Sequence, residues 1–139
     1  MKSMGNLIAI SCALLSLLSC GAADHQRLLN KRVYGYNQQL RWSEMDSAQS
    51  FVDAKHLEDW RACHLKSRTN VKLVSIQSKL LNITQTQPPV AKFKTRISWY
   101  IEGEMKVQDS VWEQTWQFQD KRWMILSEKN LTGSAGVWP

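Results

Sequence analysis

The chain is short of glycine and proline, with six and three in 139 residues, and it holds only three cysteines. That scarcity excludes collagen-like and low-complexity chains, and so few cysteines exclude a small disulfide-stapled scaffold. Long apolar runs are scarce too. Leu7–Leu18 is the only one, and it falls short of the ~20 residues that a spanning helix needs, which excludes a polytopic membrane protein. No HExxH, CxxC, GxSxG or P-loop pattern occurs, so no motif points to a metal, a cofactor or a nucleophilic enzyme. What is present suits one domain, because compact domains most often hold ~100–150 residues. The chain carries 18 Lys+Arg against 12 Asp+Glu, a formal net charge of +6, and seven tryptophans.

The N-terminus starts with Lys2, passes through Leu7–Leu18 and leaves by Ser19, Cys20 and Gly21. A basic start, an apolar core and a small-residue exit form the layout of a secretory signal peptide, here residues 1–19. The exit Leu17-Leu18-Ser19-Cys20 resembles the bacterial lipobox. That resemblance implies a Cys20 diacylated on sulfur, which becomes the mature N-terminus and ties the protein to a membrane. Gly21 rather than Asp after it implies the outer membrane of a bacterial envelope, facing the periplasm. Several acyl chains hold firmly where a single one binds marginally. Residues 20–27 then read as a lipidated tether. With Cys12 lost and Cys20 acylated, Cys63 is the one thiol left. It has no disulfide partner and reads as a buried structural cysteine.

From Leu29 the apolar positions Leu29, Val33, Tyr36 and Leu40 keep helical spacing and predict a helix over about Gln26–Ser43. Asp46 and Asp53 offer N-caps, predicting a short helix over Ser47–Val52 and a third over Ala54–Leu65. Strands follow. Val71–Thr84 is rich in β-branched residues but keeps no single apolar parity, which predicts a bulge. From Ala91 to Ile101 the odd positions are apolar or Thr and the even ones Lys92, Lys94, Arg96, Ser98, Tyr100, the pattern of a strand with one dry face. Pro88-Pro89 mark the turn before it and Glu102–Glu104 the hairpin after it. Val107–Phe118 and Arg122–Ser127 complete the set, joined by a tight turn at Gln119–Lys121. Residues 131–139 read as a flexible tail. Helices followed by strands with short connections make an α+β fold, with N-terminal helices packed on a curved four-stranded antiparallel sheet.

The stretch Val111–Ile125, an aromatic strand turning through polar residues into Arg122-Trp123-Met124-Ile125, resembles the final hairpin of NTF2-like (SnoaL-like, cystatin-like) domains. Leu40–Val52 is similar to the corner between the first two helices in small lipid-anchored members. The resemblance spans residues 28–130. It implies a sheet rolled around the first helix into a half-open cone, with an Asp/His or Tyr/Asp set inside it where members are enzymes.

No such set is legible here. The dry parity of Ala91–Ile101 has no acid or base, and Glu113 on the next strand shares its parity with Val111 and Thr115, whose side the sequence leaves open. His56 and His64 are eight residues apart, which at ~100° per residue leaves them about 80° divergent on a helix, too far for a shared metal. Trp99, Trp112, Trp116, Glu113 and Tyr36 are the candidate pocket or interface residues, because aromatics concentrate in interface cores. Lys92, Lys94 and Arg96 form a basic patch on one strand face. Residues 27–96 hold 13 basic against 5 acidic side chains. An exported domain of this kind is expected to meet an envelope protein or anionic lipid rather than nucleic acid. The sequence-level expectation is therefore a non-enzymatic binding module working through its sheet face, with a small apolar-ligand binder as the alternative.

Overall fold

The computed structural model describes residues 5–65 and 70–133, with side chains from residue 21 onward. Cys20's side chain and residues 134–139 of the expected tail lie outside it. The elements are α1 (Gly5–Arg41), α2 (Met45–Ala48), two 3₁₀ turns at Gln49–Phe51 and Ala54–His56, α3 (Leu57–Leu65), and strands β1 (Val71–Thr84), β2 (Val90–Ile101), β3 (Gln108–Gln119) and β4 (Arg122–Gly133). The strands form one open antiparallel sheet in the order β1-β2-β3-β4. The fold is α+β, as the order of elements requires.

α1 supplies the cover for the sheet. Leu29, Val33, Tyr36 and Leu40 are all buried and face Phe93, Ile97, Trp99, Trp112 and Trp116. An aromatic side chain buries ~150–250 Å², so at about 25 cal/mol per Å² each indole contributes roughly 4–6 kcal/mol of gross burial. Losing the α1 cover would expose several at once. α1 ends in a Schellman motif: Ser43 takes φ 62°, Ser43 N–H reaches Leu40 O and Glu44 N–H reaches Gln39 O at 2.8 Å. The exposed Trp42 (68%) sits at this corner and leaves the core.

Several boundaries differ from the sequence expectation, each for a local reason. α1 does not begin near Gln26. The helix runs through the segment expected to be a tether, because Ala22 and Ala23 favour helix and no proline interrupts it. This segment is also docked: Trp123 Nε1 donates to His25 O at 3.0 Å and the His25 ring lies 4.4 Å from Phe118. The second helix starts at Met45, with Asp46 in its first turn instead of at the cap, and yields to a 3₁₀ turn after Ala48. Asp53 does cap the next turn, accepting from Lys55 N–H. β4 runs on to Gly133, so Thr132 and Gly133 pair with β3, past a bulge at Leu131, instead of belonging to a loose tail. β1 carries bulges at Val74 and Leu81, which is why no single parity there is apolar. Asp120 and Lys121, at φ 49° and 63°, make the two-residue turn whose twist matches a hairpin.

Candidate functional site: a cleft between the third helix and the fourth strand

A cleft of about 690 Å³ opens between α3 and β4. Val52, Trp60, Ala62, Ile125 and Leu126 give it apolar walls, and His64 and Glu128 are its most buried polar lining. The two walls are held together by chain pairing: Val52 bridges Ile125 in parallel and Asp53 N–H reaches Ile125 O at 2.9 Å. On α3, Trp60 and His64 are four residues apart and share a face. Their rings stack at 4.4 Å with 20° between planes. Trp60 Nε1 in turn donates to the Tyr36 hydroxyl at 2.8 Å, fixing the helix to the core.

Glu128 reaches the cleft through an irregularity. Along β4, Trp123 and Ile125 face inward, so strict alternation would bring Ser127 next. The register shift between Trp116↔Ile125 and Thr115↔Ser127 leaves Leu126 unpaired. That one extra residue exchanges the faces, as a β-bulge does. Glu128 therefore pairs with buried Gln114 on β3 and turns inward. Its carboxylate accepts from His64 Nε2 at 2.5 Å and from Gln114 Nε2 at 2.9 Å. The His64 and Glu128 side chains are only 1% and 6% exposed.

Cys63 is half-buried on the cleft wall, so the expectation of a buried structural cysteine gives way to a thiol bordering a cavity. Burial, and then the neighbouring Glu128 charge, push its pKa up. Since the thiolate is the nucleophile, this site suppresses nucleophilic chemistry at Cys63. Among the described residues no group of three or more His, Cys, Asp or Glu could hold a metal ion, and no helix is long and apolar enough to cross a membrane.

The five candidate pocket or interface residues lie elsewhere. Tyr36, Trp99, Trp112 and Trp116 are core, and Glu113 is on the opposite, outer face of the sheet. Trp99 Nε1 donates to Ser110 Oγ at 3.1 Å, and Tyr36 packs edge-on against Trp116. Lys92, Lys94 and Arg96 are on the outer face, as their parity predicts. There Lys92 Nζ pairs with Glu113 Oε1 at 3.0 Å. Asp53 and His56 approach to 4.0 Å, while Asp53 also accepts from Gln119 Nε2 at 2.6 Å. The site that sequence reasoning missed is His64–Glu128. Trp60 and His64 at i, i+4 were its one legible trace.

No family model, curated protein or solved structure matches the chain.

Proposed function

We propose that this chain is a lipid-anchored, NTF2-like protein of a bacterial envelope whose α3–β4 cleft binds a small, largely apolar molecule bearing one hydrogen-bond-donating group. The carrying observation is the cleft itself. Its volume of about 690 Å³ falls within the ~300–1,000 Å³ usual for small-molecule sites, and mostly apolar walls with a few convergent polar groups are the usual lining. An ammonium or hydroxyl on the ligand would face the Glu128 carboxylate, with the apolar body against Trp60, Val52 and Ile125. The raised pKa of Cys63 favours binding over nucleophilic catalysis. This favours the small-molecule reading over recognition of a partner through the inner sheet aromatics, since those rings are committed to the core.

The NTF2-like identity is supported by helices covering one face of a four-stranded antiparallel sheet and by the Arg122-Trp123-Met124-Ile125 hairpin. Anchoring is supported by the Leu17–Cys20 signature. Exported behind an ordinary cleavable signal peptide in place of residues 1–20, the chain should leave the envelope fraction after a carbonate wash, and mass spectrometry should find acyl chains on Cys20 in the parent. Ligand binding is read from tryptophan fluorescence. Long-chain alcohols, sterols and alkylamines are expected to shift the Trp60 emission of the parent and not that of Ala62→Trp, whose indole would fill the rim. Silence across all three classes would overturn the reading.

A further inference from the structure

Among the described residues, the outer face of the sheet carries cations that no ion pair neutralises. Lys79 on β1 stands directly opposite Lys94 on β2, and Arg96 is the next outward residue along β2. Lys129 on β4 projects from the same face, in register with Glu113. Like charges directly opposite on a ladder are destabilising, yet among the described residues Lys79, Lys94, Arg96 and Lys129 have no ion pair. The carboxylate nearest in register, Glu113, is taken up by Lys92 at 3.0 Å, and Asp109 accepts from Ser98 Oγ at 2.5 Å. Lys79 and Lys94 also lie close to where the chain would be anchored. A second cavity, of about 470 Å³, is lined on one side by Ala22, Ala23 and Gln26 of α1 and on the other by Leu80, Ile83 and Pro89. The β1–β2 hairpin thus meets the start of the mature chain with its inner face, while its outer face carries Lys79 and Lys94.

From this juxtaposition we infer that the outer sheet face of Lys79, Lys94, Arg96 and Lys129 docks on an anionic lipid bilayer. The choice of a bilayer over an acidic protein rests on the acylated Cys20 of the proposed function. An anchor two residues from Ala22 keeps this end of the molecule near the headgroups. A cation near an anionic membrane surface strengthens binding about fivefold, and the attraction decays within a Debye length of ~8 Å at physiological salt. Four such cations turn a tethered domain into one with a fixed orientation, and the cleft on the other side of the sheet stays open to solvent.

The test uses the mature chain, residues 20–139 with Cys20→Ser, so that neither acylation nor the apolar Leu7–Leu18 run contributes, with vesicles of phosphatidylcholine alone or mixed with phosphatidylglycerol. Sedimentation should show binding to the mixed vesicles that falls with salt. K79Q/K94Q should weaken it roughly twentyfold, with an unchanged near-ultraviolet spectrum as the check on folding. K79E/K94E should bind vesicles containing a cationic lipid instead, a gain that misfolding would not produce. Equal binding to neutral vesicles, indifference to salt or unchanged binding by K79Q/K94Q would overturn the inference. So would an unacylated chain that ignores vesicles but captures an acidic protein. Failure of acylation would show separately, in the mass of the parent, and leaves this readout intact.

Discussion

Removing the His64 imidazole should destabilise the domain far more than a residue near the end of a nine-residue helix ordinarily would. In His64→Ala the Glu128 carboxylate, 6% exposed, keeps the Gln114 amide at 2.9 Å as its hydrogen-bond partner among the described residues. A hydrogen bond to a charged group contributes about 1.5–3 kcal/mol. Losing the ring stacked 4.4 Å from Trp60 removes about 0.5–1.5 kcal/mol more. Together these come to about 3 kcal/mol, in line with the ~3–5 kcal/mol lost when one partner of a buried pair is deleted. For a domain of this size that lowers Tm by roughly 10–20 °C. The assay is urea unfolding followed by tryptophan fluorescence, on the parent, His64→Ala, Glu128→Ala and the double variant. The double variant should lose about 1.5–3 kcal/mol less than the sum of the singles, because the second deletion removes a group already orphaned by the first. A His64→Ala loss below about 1 kcal/mol, or strict additivity, would refute the reasoning: the pair would then be hydrated and the cleft floor open.

Trp123→Phe removes the hydrogen bond to His25 O, worth about 1 kcal/mol; trypsin should then cut faster at Arg27, and an unchanged rate would show that the bond does not hold this turn of α1. The Cys63 thiol, its pKa pushed up by burial and then by Glu128, should react slowly with a disulfide reagent at neutral pH and accelerate as the pH rises. Glu128→Gln should speed it at any fixed pH, because removing the negative charge lowers the thiol pKa; a slower variant would contradict this. Gly133 has φ +91° and a Cβ there would meet Asp109 O at 2.3 Å, so Gly133→Ala should cost more than the ~1–2 kcal/mol of the left-handed backbone alone and loosen the β3–β4 pairing at Ser110 and Gly133, which hydrogen exchange would detect.

The elements that were legible in the sequence are those whose signal is local. Leu29, Val33, Tyr36 and Leu40 line the buried side of α1 because spacing by three and four residues already places them on one stripe. Ala91, Phe93, Thr95, Ile97 and Trp99 are all buried because alternation along an extended chain separates dry from wet. Glu113 was undecidable for want of a partner. Only the register against Lys94 on β2 and Lys129 on β4 puts it on the outer face. The start of α1 was misjudged because a helical segment of small residues looks like a tether until something docks on it, here Trp123 and Phe118.

Taken alone, then, the amino-acid order determined the sequence of helices and strands but not where α1 begins or β4 ends, that neighbouring strands would run antiparallel, and which side of the central strand would be dry. These are consequences of backbone period and short connections. Tertiary structure alone decided the cleft: His64 and Glu128 are 64 residues apart, and they meet because one unpaired residue, Leu126, turns β4 over. A single inserted position in a ladder is invisible in the hydrophobic pattern, since its effect exists only relative to the strand beside it.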